Sequence, residues 1–294
     1  MPNVYEVITE RIIQQLESGT APWHKPWKAR GTSALPRNLV SGRAYRGINV
    51  WTLLGSGYAN PQWLTFHQAR QLDGHVRQGE AGSPIVYWKF GRREVEDGDE
   101  IMEKRSVLCL YYTVFNVEQC EGLTIRPAEP RENRPQLQPI AACDQVVAGW
   151  RAKPVIKHGG DIASYSKILD CVQMPERTGF DSVEEYYATL FHELAHSTGH
   201  PSRLNRSSLT DFERYGDACY SREELCAEMG AAFLAGVCGI ENRIINNSAA
   251  YLANWLRALK NDHRMVLVAA SQAQKAADLI LGVTPNDAAQ QHAG

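Results

Sequence analysis

The segment YYATLFHELAHSTGH, residues 186–200, sets three histidines and a glutamate among apolar residues. Within it, His192-Glu193-Leu194-Ala195-His196 is an HExxH pattern. On an α-helix, at ~100° and ~1.5 Å per residue, positions i and i+4 lie one above the other on the same face. Two imidazoles at that spacing reach one tetrahedral ion. The glutamate at i+1 lies beside the ion's open position, where it takes a proton from water. A five-residue match also describes a partly buried helix whose histidines are capped by hydrogen bonds. Here Tyr187, Leu190, Phe191, Leu194 and Ala195 surround the pair with a water-excluding wall. Polar rings on so apolar a helix are costly unless something satisfies them, which favours the metal reading.

Such a site needs a third ligand, and YSREELCAEMGAAFLAG, residues 220–236, offers Glu223, Glu224 and Glu228. Glu224 and Glu228 share a helix face, and Gly230, Ala231 and Ala232 permit close helix packing. An acid with another four residues on suits one ligand plus one partner holding a histidine in orientation. Glu224 is assigned to the metal and Glu228 to the supporting role, with the reverse assignment open. Ser221 with Glu224 also reads as a capping box opening a helix through about Cys238, a role that competes with ligation. His200, just before Pro201, reads as a loop residue. Tyr220 is a candidate for stabilising an oxyanion. The expected ion is Zn²⁺ or another divalent cation such as Mn²⁺, with Glu193 as general base.

The helix carrying the HExxH is expected from Ser182 to His196, with Asp181 or Ser182 as N-cap and Glu184 or Glu185 in its first turn. PVIKHGG and SYSKILDCVQMP precede it as strands, and Tyr251 to Leu281 reads as one or two terminal helices. His192–His196 with EELCAEMGAAF resembles the zincin metallopeptidases, in the branch attached to plasmid antirestriction proteins. In related zincins a glutamate beginning a helix is the third ligand and a polar residue follows four positions later. Glu224 and Glu228 match that arrangement, and the resemblance spans about residues 150–281.

The chain holds 294 residues with net charge −2, so the whole molecule is no obvious polyanion binder. The average hides an asymmetry. Residues 1–93 hold 12 Lys/Arg against 5 Asp/Glu, and the rest 19 against 28. A basic module joined to an acidic one is implied. The basic part also holds Trp23, Trp27, Trp51, Trp63 and Trp88, five of the seven tryptophans. Flat rings stack on unpaired bases and cations follow phosphates, which is what single-stranded nucleic acid asks for. The candidate contacts are Trp23, Lys25, Trp27, Lys28, Arg43, Tyr45, Arg46, Trp63, Arg77 and Lys89. Trp51, flanked by Ile48, Val50, Leu53 and Leu54, is expected in the core.

Val4 to Glu17 has helical apolar spacing, with Gly19 as its stop. SPIVYWKFGRR and RSVLCLYYTVFNVEQC are strand-like, and Glu94–Arg105 between them is expected as a solvent-facing connection. RPAEPRENRPQLQP, residues 126–139, has four prolines, five charges and almost nothing apolar, which describes a linker. The expected division is residues 1–125, a linker at 126–139, and residues 140–294, with separate cores. The seven cysteines are scattered without a CxxC pair, and no signal peptide or apolar run of membrane-spanning length is visible. A reducing, cytoplasmic setting follows.

PWHKPW, LVSGRAYRGIN, PQWLTFHQARQLDGHVRQGEAG and VFNVEQCEG, in this order, resemble the N-terminal single-stranded-DNA-binding domain of ArdC antirestriction proteins and of related plasmid primases. With the zincin-like part, nearly the whole chain resembles the ArdC family. That resemblance implies an α+β protein of two domains, binding to single-stranded plasmid DNA during conjugative transfer, protection of incoming DNA from restriction, and a protein substrate yet unknown. The alternative is a DNA-shielding protein whose metal is structural or vestigial. An intact Glu193 favours the enzyme. A metal-dependent nuclease is weaker, since two-metal phosphoryl chemistry prefers clustered carboxylates.

Overall fold

Helix α1, Val4–Glu17, opens on a capping box: the Asn3 side chain accepts from the backbone of Tyr5 while Glu6 reaches back to the Asn3 N–H. The computed structural model describes residues 3–19, 21–24, 35–97, 100–124, 139–210, 218–240 and 249–284. After a 3₁₀ turn at Pro22–His24 come β1 (Arg37–Asn38), α2 (Ile48–Leu54), β2 (Gln62–Leu64), α3 (Phe66–Gln71) and β3 (His75–Val76). The long strands β4 (Ser83–Asp97) and β5 (Glu100–Asn116) and the short β6 (Cys120–Glu121) complete the N-terminal part. One sheet has the order β1-β2-β5-β4, with β3 paired to β6. Pairing runs unbroken from Ser83↔Val114 to Asp97↔Glu100. The charged stretch expected as a connection is therefore strand on both sides. Its charges cost little there, because the ladder satisfies backbone groups whatever the side chain.

The linker expected at 126–139 falls almost wholly outside the described residues, and α4 begins at Pro139 and ends at Gly149. Proline suits a first helical turn, where its missing N–H has no partner to lose. Strands β7 (Val155–His158), β8 (Ser164–Ser166) and β9 (Cys171–Met174) form a sheet ordered β7-β9-β8. Helices α5 (Val183–Ser197), α6 (Ser207–Thr210), α7 (Ala218–Cys238), α8 (Ala249–Asn261) and α9 (Met265–Leu281) follow.

The expectation of separate cores fails. Ile8, Ile12, Trp23 and Trp51 belong to the same buried cluster as Phe191, Leu194, Phe233 and Ala273. The Trp51 ring meets the Phe233 ring at 4.6 Å. The N-terminal helices alone have too little partner surface for their apolar faces, so they complete the helical layer of the other half. Among the described residues no helix is long and apolar enough to cross a membrane.

Candidate metal centre

Helix α5 starts where sequence places it: the Ser182 hydroxyl accepts from the Glu185 N–H, with Glu184 and Glu185 favouring the positive helix end. Its helical register then puts His192 and His196 on one face, both buried. Helix α7 begins three residues before Ser221, so Ser221 and Glu224 lie inside the helix and the expected capping box does not form. Glu224 is thereby released from a capping role. Gly230 lets α7 approach α5 closely, since a Cβ there would stand 3.0 Å from Ala195 Cβ.

The result is a cluster of three donors. One ligand atom each from His192, His196 and Glu224 lie within 4.8 Å of one another. The two Nε2 atoms are 3.0 Å apart. Glu224 Oε2 is 3.6 Å from His192 Nε2, and Oε1 is 3.4 Å from His196 Nε2. Tetrahedral ligation at ~2.0–2.1 Å sets ligands ~3.3 Å apart, so the donor set and its spacing fit a divalent ion. Glu193, next to His192 on α5, is also buried.

Support for the second histidine comes from Glu223, not Glu228. His196 Nδ1 and Glu223 Oε1 are 3.3 Å apart. Glu223 also accepts from Ser208 Oγ at 2.6 Å, from Arg206 Nε at 3.0 Å and from Arg206 Nη2. Arg206 further donates to the carbonyls of Ala195 and His196, clamping the end of α5. Glu228 instead accepts from Trp23 Nε1 at 2.9 Å. Burial opposes a proton on His196, but hydrogen bonds to Glu223 and Glu224 outweigh it and raise its pKa to about 10. Burial likewise opposes charge on Glu224, yet hydrogen bonds from His192 and His196 hold it well below the carboxylate range. His200 lies apart, in the turn after α5, with Nδ1 2.7 Å from Ser202 Oγ. The Tyr220 side chain lies outside the described residues.

The proposed nucleic-acid contacts fare less evenly. Trp23 is 0% and Trp63 2% exposed, so neither ring can stack on a base. Both are fully used as core, Trp63 edge-on to Tyr58. Tyr45 packs against the core and Arg46 pairs with Asp278. Arg77 donates to Glu80 at 3.1 Å, Arg43 is half-buried, and Lys89 is exposed. Lys25, Trp27 and Lys28 lie outside the described residues. Among the described residues the exposed aromatics are instead Phe66, Tyr87, Tyr111 and Tyr112. Strand alternation carries part of that signal, since the SPIVYWK and LCLYYTV runs must turn alternate rings outward.

An HExxH helix held against a glutamate-bearing helix, beside a small mixed sheet and with a second α+β unit ahead of it, defines a two-domain protein of the zincin-like class. Residues 141–272 match the zincin-like metallopeptidase family, and residues 2–115 match the N-terminal domain of anti-restriction factor ArdC. The metal-free crystal structure of antirestriction protein ArdC from plasmid R388 is similar, with TM-score 0.73 and 37% identity over 98% of this chain and 99% of that one. Its Mn(II)-bound crystal structure gives TM-score 0.71 and 37% identity, over 96% and 98%. Protein y4eC of Sinorhizobium fredii, itself uncharacterized, is 36% identical over 94% of this chain and 91% of its own length. A DNA primase TraC of Escherichia coli is 36% identical over 94% of this chain, which spans only 27% of that relative's length. The chain belongs to the ArdC antirestriction family.

Proposed function

We infer that the protein is a cytoplasmic antirestriction factor that binds single-stranded DNA and carries a divalent-metal peptidase-type site. The observation that carries the metal reading is the convergence of His192, His196 and Glu224 on one point. The Mn(II)-bound relative supports a divalent ion, and zinc is the expected native one. When bound, the ion supplies Lewis-acid activation of water, lowering its pKa towards ~7. Glu223 holds His196 with Nε2 turned to the ligand cluster. Glu193 accepts the water's proton and passes it to the leaving amine of a peptide substrate. A division into residues 1–125, a linker at 126–139 and residues 140–294 is supported by separate family matches to residues 2–115 and 141–272.

Metal analysis of the purified protein tests the site. One divalent ion per chain is expected, lost from His192→Ala and from His196→Ala. Full occupancy in the double variant refutes the assignment. A second reading, in which the ion braces the fold and DNA is merely shielded, draws on the bond between Trp23 and the metal-bearing helix. It predicts that neither wild type nor Glu193→Gln shows peptidase activity, whatever their antirestriction.

A further inference from the structure

Arg11 on α1 carries a charge that the fold does not neutralise. Its Nη2 donates to Ser56 Oγ at 3.0 Å and to Ser83 Oγ at 3.1 Å, two neutral acceptors. Its Nε is buried without a partner, and no carboxylate pairs with the guanidinium among the described residues. Burial pushes the Arg11 pKa down, and only Tyr58 among its neighbours pushes it back up. Glu80 and Glu118, the acids that act on Tyr58, are already engaged. Arg77 and Gln119 hold Glu80, and the Asn60 N–H holds Glu118. A cation drawn partly out of water without a counter-charge is costly. Folding alone does not ask for it, since a neutral donor would bond the same hydroxyls.

Three elements build the place. Arg11 comes from the middle of α1, Ser56 follows the end of α2, and Ser83 opens β4. Gly57 holds φ 86°, a left-handed conformation that turns the chain straight after Ser56 and that glycine adopts without strain. The two serine oxygens lie 2.9 Å apart. Ser56 Oγ donates to the Thr52 carbonyl at 3.1 Å, so its proton is spent. Ser83 therefore donates to Ser56, and its proton is the one free to swing towards a ligand. Arg11 and Ser56 are half-buried and Gly57 is exposed, so solvent reaches the guanidinium.

We propose that Arg11, Ser56 and Ser83 form a binding site for a phosphate group. A tetrahedral oxyanion supplies the missing negative charge and several acceptor oxygens, which suits a guanidinium with donors to spare. The Ser83 hydroxyl turns from Ser56 to the ligand. Two sources carry this chemistry: a phosphodiester of bound single-stranded DNA, and free inorganic phosphate. The first deepens the reading of the protein as a single-strand binder and rests on it; the second does not.

Thermal melting of the full-length protein, in phosphate and in chloride of equal ionic strength, reads the site itself. Phosphate is expected to raise the melting temperature of wild type and to leave Arg11→Gln unmoved. An equal rise in both proteins is the general effect of an excluded salt and overturns the site. In chloride Arg11→Gln should melt no lower than wild type, because it removes an uncompensated cation. Ser83→Ala leaves every charge in place and removes the mobile hydroxyl. Its response to phosphate should shrink, which repeats the test should Arg11→Gln fold poorly. Fluorescence anisotropy of labelled oligo(dT) separates the two sources. If a phosphodiester fills the site, Arg11→Gln weakens binding about 10-fold, lowers the salt slope by about one, and free phosphate competes with the oligonucleotide. If Arg11→Gln binds oligo(dT) as wild type does yet has lost its response to phosphate, the site serves the free anion. Wild type that ignores oligo(dT) overturns the single-strand reading and leaves the phosphate site to stand or fall on melting.

Discussion

Trp23 Nε1 donates to Glu228 Oε2 across 2.9 Å, in a place where both side chains are buried. The bond ties the 3₁₀ turn Pro22–His24 to α7 one helical turn from Glu224. Together with the shared core it makes the two halves one mechanical unit. Trp23→Phe keeps most of the ring volume and removes the donor. A cost of about 1–3 kcal/mol in unfolding free energy is expected, as for a buried hydrogen-bonding group left short of a partner. Urea unfolding should stay a single transition, shifted as a whole. Two separate transitions, only the first of them moved, would contradict the shared core.

Glu223 is the residue whose loss should reveal how His196 is held. Glu223→Gln keeps the size and one acceptor oxygen but discards the charge that Arg206 and His196 face. Metal affinity should fall ~10–100-fold, the usual penalty for disturbing a ligand's outer partner. Glu223→Ala should also destabilise the fold by about 3–5 kcal/mol, since it strands a buried guanidinium. Chelator competition and thermal melting separate the two effects. Unchanged metal affinity in Glu223→Gln would remove Glu223 from the site's support.

Proton competition gives the metal site a pH signature. With no ion, burial disfavours a proton on His196, but its bonds to Glu223 and Glu224 win and its pKa stands at about 10. At pH 7 the ion must therefore displace a proton. Raising the pH removes that competitor, so affinity should climb by up to ~10-fold per pH unit between about 7 and 9. Competition titrations against a chelator of known protonation behaviour measure the slope. A flat profile through that range sinks the expectation.

How legible was this in the sequence? The α5 pattern was, because its N-cap, helical period and ligand spacing are all local. So was the glutamate that stands beside both histidines, Glu224, by helix-face reasoning. The histidine's supporting acid was not: Glu223 owes its role to Arg206 and Ser208, which fold back from the turn after α5. Nothing in residue spacing announces that return. Tryptophan misled for a related reason. A ring beside lysines reads as a base-stacking residue, yet Trp23 and Trp63 carry more apolar surface than an N-terminal unit of this size can leave in water. The tyrosines, with hydroxyls to keep wet, took the surface of β4 and β5 instead.

The last prediction separates shielding from cleavage. Glu193→Gln is nearly isosteric, lies on α5 in the zincin-like half, and removes the carboxylate proposed as general base. It should abolish any peptidase activity while changing oligo(dT) affinity less than about threefold, under ~0.7 kcal/mol. Conjugation into restricting and non-restricting recipients then ranks the two activities. We expect shielding, because the excess of Lys/Arg over Asp/Glu in residues 1–93 suits a DNA partner, whereas no surface among the described residues names a protein substrate. Glu193→Gln should thus protect incoming plasmids as wild type does. The opposite pattern, with transfer lost only for Glu193→Gln and only into the restricting recipient, would make the peptidase the effector and reduce DNA binding to delivery.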